Sequence, residues 1–434
     1  MRDDGPLPTS ASGPDRGEPG ADPPTVRAYV LLVATRWVPT GLLIPVLVLL
    51  MQERGLTLGQ IGLATAMQGA MVFLLELPTG GLADAVGRRP VLLVAAAVEF
   101  VAVCLLLVAD SLALLALVFL LQGIYRSLES GPLEAWFVSS YRPEPGGPDT
   151  GTVLARAGTA TGVAIAAGSL LSGALVWWRP VDSISALALP VAVAALLRLA
   201  DLGMIARLMG EPRPTGSVRP RVLVADARLV VTDTIRQVRG SIALAGLIAV
   251  EFFWGFGMTA FETLFPPRLA EATGSAAEAA GLLGPVGAVA WLVAAAGAAL
   301  APAAARRLGL VGAAMLGQGL QAASVVGIAV VAGPAGVVAF YLATLVLHGA
   351  INPLYRTILH EHADDAHRTT VLSASSMAAH PGGAIGGIVL GALATSTSVT
   401  TAMLVGAAML TMAVPMYLPA RRASTRESTV PAAS

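Results

Sequence analysis

The chain has 434 residues, no net formal charge, 55% apolar side chains and 12% charged ones. Soluble domains carry about 25% charged residues, so this composition excludes an ordinary cytosolic enzyme and a disordered chain. The balanced charge leaves no basic face for nucleic acid, and the single cysteine, Cys104, excludes an intrachain disulfide or a cysteine-based zinc site.

Residues 1–27 are polar and rich in Pro, Gly and Asp; they read as a disordered tail and lack the short apolar core of a signal peptide. Twelve mostly apolar stretches follow, at 28–50, 59–80, 90–109, 111–137, 151–176, 183–206, 241–265, 280–304, 309–332, 335–358, 370–395 and 399–418. A helix needs about 20 such residues to cross a bilayer, and the backbone must satisfy its own hydrogen bonds there. The expected fold class is therefore an all-α membrane protein with twelve transmembrane helices. Interleaved small residues, such as Gly382, Gly383, Gly386 and Gly387, predict close helix approach. The polar segment 207–240 carries seven arginines and separates two groups of six spans, 28–206 and 241–418, with a polar tail at 419–434.

Arginine placement sets the orientation, because short cytoplasmic loops collect positive charge. With the N-terminus in the cytoplasm, that side receives 20 arginines and the other receives Arg54, Arg179 and Arg268. The reading is a multi-pass plasma-membrane protein with both termini cytoplasmic.

The two groups of spans match at an offset of 218 residues. "GLADAVGRR" at 81–89 aligns with "ALAPAAARR" at 299–307, pairing Arg88 and Arg89 with Arg306 and Arg307. "TVLARAGTATGVAIAAGSLLSGAL" at 152–175 aligns with "TVLSASSMAAHPGGAIGGIVLGAL" at 370–393. Six plus six spans in parallel repeats is a transporter architecture whose substrate site lies between the halves.

The loop after the second span reads Gly80-x-Leu82-Ala83-Asp84-x-x-Gly87-Arg88-Arg89-x-x-Leu92. It resembles the signature loop of the major facilitator superfamily, with Ala85 where the family usually carries another arginine. The resemblance covers nearly the whole chain. It implies a fold of two six-helix repeats, a cytoplasmic gate built on Gly80, Asp84, Gly87, Arg88 and Arg89, and a degenerate second copy at Arg306 and Arg307. It also implies that spans one, four, seven and ten line a central cavity, which places Arg36, Arg126, Glu129, Glu251, Glu262, His348 and Asn352 on cavity helices.

An ionisable group in a span costs about 2.5–3.5 kcal/mol on insertion scales, so each must face protein or water. Arg126 and Glu129 stand at i,i+3 spacing, which lets them pair. Glu251 and Glu262 share one face of span seven, with Glu262 toward the outer mouth. The expected polar centre is Arg36, Glu129 and Glu251, one carboxylate holding a proton. Arg156, Arg198 and Asp201 read as snorkelling or locally paired groups, and Glu99, on a peripheral span, has no evident partner. Gly131-Pro132 and Asn352-Pro353 break helix regularity at matching places. "HEHADDAH" at 360–367 lacks the spacing that sets two ligands on one helical face and reads as a solvated loop, so no metal and no cofactor are expected. Span seven adds Phe252, Phe253, Trp254, Phe256 and Phe261, suited to an apolar ligand or to packing.

The expected activity is secondary active transport by alternating access: proton-coupled export of a small, partly apolar molecule by a monomer in the lipid bilayer, and no enzymatic reaction. The alternatives are a proton-coupled importer and a non-transporting receptor or scaffold.

Overall fold

The structure, a computed structural model, describes residues 24–80, 82–143, 147–181, 183–211, 236, 239–363 and 368–427. Residues 1–23 of the expected tail 1–27, most of the polar segment after residue 211, and the acidic loop residues 364–367 lie outside the described residues, while residues 24–27, expected in the tail, begin the first helix. Every described regular element is helical, and 12 helical segments are long and apolar enough to cross a membrane. They run Pro24–Glu53, Leu58–Leu75, Arg88–Val108, Leu112–Ser140, Thr150–Trp178, Ala188–Leu208, Ile242–Thr273, Ala276–Leu308, Leu310–Val330, Pro334–His362, Ala374–Ser396 and Val399–Arg422, and are numbered here as spans one to twelve.

Local chemistry sets several boundaries. Ser111, Asp149, Ser241, Ser275 and Ser398 each accept a hydrogen bond from the backbone N–H three residues on, capping spans four, five, seven, eight and twelve. The two hydrogen bonds from Thr152 also hold the Asp149 carboxyl below its ordinary titration range. Span one is two helices, Pro24–Leu43 and Leu47–Glu53. Span four divides at Gly131, whose φ of 92° breaks the helix before Pro132 restarts it. The expected matching break in span ten is absent: Pro353 sits inside the continuous helix Pro334–His362. The helix runs on because a proline interrupts one backbone hydrogen bond without requiring a second helix start.

Packing repeats with a six-span offset. Span one packs on five and six as span seven packs on eleven and twelve. Span four packs on two and three as span ten packs on eight and nine, and span three meets six as nine meets twelve. Across the halves, span two meets eleven and span five meets eight. Each half is thus built by the same helix pairings.

Glycine decides how close these helices come. A Cβ on Gly41 would overlap the Ile165 carbonyl where span one crosses span five, and one on Gly246 would overlap Met416 where seven crosses twelve. Between halves, a Cβ on Gly62 would overlap the Gly387 carbonyl oxygen, one on Gly391 would stand 2.5 Å from that of Leu58, and one on Gly284 would stand 2.7 Å from that of Ser169. The Gly59 N–H donates to Thr395 Oγ1 at 2.9 Å. These contacts lie from mid-span to the face bearing Arg54, Arg179 and Arg268. Toward the arginine-rich face, Gly158 and Gly162 of span five have no atom within 4 Å of a built Cβ. A separate cavity of 1030 Å³ opens on the arginine-poor face, lined in part by Glu53, Arg179, Ser183 and Glu271. It lies outside the glycine contacts.

The contrast yields a test. Gly41→Leu should destabilise the purified protein by about 1–3 kcal/mol through overpacking, whereas Gly158→Ala should leave it unchanged or gain up to about 1 kcal/mol. Unfolding in detergent of graded denaturing strength reads both.

Candidate substrate and proton site

Spans one, three, four and six enclose a cluster of charges. Arg36 Nε lies 3.0 Å from Glu129 Oε2, joining spans one and four. Arg198 Nη2 lies 3.4 Å from Glu99 Oε1, with both side chains under 5% exposed. The Arg198 guanidinium also donates to the Arg36 carbonyl at 2.7 Å and to Thr40 Oγ1 at 2.9 Å, and sits 5.3 Å from the Tyr125 ring centroid. Asp201 Oδ1 accepts from Thr35 Oγ1 at 3.1 Å. Glu99 Oε2 and Arg198 Nε are buried without a partner.

This cluster corrects three expectations. Glu99 has a partner, Arg198, one bundle helix away. Arg198 and Asp201 do not snorkel; they are 2% and 4% exposed and face the bundle interior. Glu129 pairs with Arg36 rather than with Arg126 on its own helix. A cross-helix partner in a fixed rotamer gives a shorter contact than two side chains fanning from one helix. The sequence signal for the cluster was the Arg198–Asp201 pair at i,i+3 deep within an apolar run.

A second centre lies between the halves. Arg126 on span four is exposed to water, and its charge is within electrostatic reach of Glu99, of Glu262 on span seven and of His380 on span eleven. Glu262 is enclosed by protein yet open to water, as a group lining an internal cavity is. Neither Arg126 nor Glu262 has a direct hydrogen bond or ion pair among the described residues. Glu262 ends the helix Ile242–Glu262, toward the arginine-poor end of span seven, and is not among the residues lining the cavity that opens on that face. Tyr341 is in electrostatic reach of Glu262. Elsewhere on spans seven and ten the Trp254 and His348 rings stack at 5.3 Å and 14°, and Phe261 lies 6.4 Å from His348.

Glu251 does not join Arg36 and Glu129. It remains in the second half, within electrostatic reach of Arg356 and near Tyr355 and Tyr417. Asn352, exposed on span ten, accepts from Arg356 Nε at 3.0 Å.

At the gate loop, helix Leu58–Gly80 ends and Leu82–Val86 carries Asp84; the surroundings of Gly80 and the side chain of Asp84 lie outside the described residues. Gly87 has φ 105°, a conformation that favours glycine. The Glu211 carboxylate caps the helix that follows, accepting from the backbone N–H of Arg88 at 3.0 Å and of Arg89 at 2.8 Å. Arg88 donates to the Ala135 carbonyl and Ser139 Oγ, and Arg89 to the Ala206 carbonyl. Arg306 and Arg307 are exposed at the end of span eight. Among the described residues, no group of three or more His, Cys, Asp or Glu is placed to hold a metal ion.

Residues 29–387 match the Major Facilitator Superfamily, and the chain belongs to that family. Among solved structures it resembles a bacterial homolog of the human lysosomal transporter Spinster, inward-facing and unoccupied, with a TM-score of 0.76 and 15% identity, covering 95% of this chain and 100% of that one. It also resembles the nucleoside transporter NupG, with a TM-score of 0.72 and 13% identity, over 92% of this chain and 99% of that one. A structure from work on proton dependent oligopeptide transporters gives 0.67 and 13% identity, over 93% and 99%. No curated protein matches. The protein is a multi-pass membrane transporter of the major facilitator fold.

The enclosed pair gives a stability test. Arg198→Ala leaves Glu99 buried without its counter-charge and should cost about 3–5 kcal/mol. Replacing both, Glu99→Leu with Arg198→Met, should recover most of that loss in the same unfolding measurement.

Proposed function

We propose that the chain exports a small, partly apolar molecule in exchange for protons, by rocking two bundles, 28–206 and 241–418, about the central cavity. It works as a monomer in the plasma membrane, with both tails and the segment 207–240 in the cytoplasm. Arg36, Arg126, Glu129, Glu251, Glu262 and Asn352 belong to the substrate and proton pathway. Gly80, Asp84, Gly87, Arg88, Arg89, Arg306 and Arg307 belong to the cytoplasmic gate.

Glu262 carries the reading. A carboxylate enclosed at bilayer depth with a counter-charge in reach but no direct ion pair is costly, and we read it as holding either a proton or the cationic group of a ligand. Competition between the two at one carboxylate is the simplest route to exchange: substrate leaves the cavity as a proton arrives, and the reverse half-cycle returns the proton. Export is supported by the conformation. The halves touch closely on the arginine-poor side and stand apart on the arginine-rich side, which the charge rule assigns to the cytoplasm. A cavity open to the cytoplasm collects its ligand there.

The test uses proteoliposomes under an imposed pH gradient, screened with a panel of amphipathic organic solutes. Wild type should move at least one of them against its gradient, and collapse of the pH difference should abolish the accumulation. Glu262→Gln should keep solute exchange at equal concentrations but lose the response to pH. Solute flux indifferent to pH would refute the coupling, accumulation running with the protons would assign import, and absence of flux for every solute would refute transport of this class.

A further inference from the structure

Arg126 of the first half and Glu262 of the second are both exposed, both without a direct hydrogen bond or ion pair among the described residues, and opposite in sign. We propose that the cavity binds a zwitterion, its anionic group on Arg126 and its ammonium on Glu262. This rests on the reading of the cavity as the substrate pathway and specifies what that pathway accepts.

Arg126 is held by span four, and Glu262 ends the first helix of span seven. The two are within electrostatic reach of one another without touching, and both are open to water. Other charges near the cluster are committed: Arg36 to Glu129, Arg198 to Glu99, and Asp201 to Thr35. A monocation placed at Glu262 is opposed by Arg126, and a monoanion at Arg126 is opposed by Glu262. A neutral solute would strip water from both charges and replace it with nothing. A dipolar solute satisfies each end, and complementary charge of this kind sets specificity more than raw affinity. The guanidinium fork suits a carboxylate in two-point contact. Because the two charges come from different bundles, a zwitterion also bridges the halves, drawing Arg126 toward Glu262 as the cavity closes.

Binding is measured by calorimetry on the full chain in nanodiscs, with phenylalanine, leucine and the dipeptide Phe-Phe, each compared with its amine-deleted and acid-deleted analogue. At least one zwitterion should bind about tenfold or more tighter than both of its analogues, the range expected for a charged hydrogen bond at each end. Arg126→Ala should abolish the advantage over the acid-deleted amine, and Glu262→Gln should abolish the advantage over the amine-deleted acid. Since both side chains are open to water, the exchanged double variant Arg126→Glu with Glu262→Arg should fold and regain the zwitterion preference. Equal or tighter binding of an amine or an acid alone, no binding by any zwitterion, or a preference untouched by both single variants would overturn the proposal. These outcomes leave the transport reading standing, which falls only on the absence of flux in proteoliposomes.

Discussion

The enclosed guanidinium of Arg198 is the interaction on which the first half depends. It reaches from span six to Glu99 on span three, to the Arg36 carbonyl and Thr40 on span one, and to the face of Tyr125 on span four. Four helices that lipid cannot drive together are thereby tied at one point. Van der Waals packing and interhelical hydrogen bonds are the available forces in that setting. A charge that would be expensive alone becomes a cross-brace once its donors are placed. Arg126 and Glu262 are outside that bracing, with no direct ion pair among the described residues.

The two kinds of contact divide the labour. Within halves, glycine crossings and the charge cluster fix helices rigidly. Between halves, the close contacts sit toward one face, so the bundles can separate on the other without disturbing either interior. Rigid bodies meeting at a backbone-close interface toward one face are what a rocking mechanism requires, because packed cores shift between discrete arrangements and do not deform continuously.

Much of this was legible in the sequence. Twelve apolar runs, the arginine asymmetry and the offset of 218 residues contain the fold, because bilayer thickness leaves helices no other length. Residue identity also located the ionisable groups on the right helices. Arg36 and Glu129 were expected at one polar centre, and they pair. The other partners were not legible: pairing of Arg198 with Glu99 depends on which helix faces meet, and apolar periodicity is weak where lipid and core are equally greasy. Hence Glu251 was grouped with residues of the opposite half, and Glu99 was left alone. Pro353 misled for a related reason: a proline marks a lost hydrogen bond, but whether the helix stops is decided by its neighbours and by a glycine such as Gly131.

The Gly62–Gly387 crossing has a bearing on energetics beyond packing. Where two backbones touch, a file of water molecules cannot thread between them, and without such a file hydronium cannot hop. In the proposed exchange the crossing would act as part of an insulator: it would let a deep acidic group trade ions with one compartment while the electrochemical potential across the bilayer stays intact. Bulk introduced there would wedge the spans apart, and the resulting short circuit would drain stored membrane energy whether or not any solute moved.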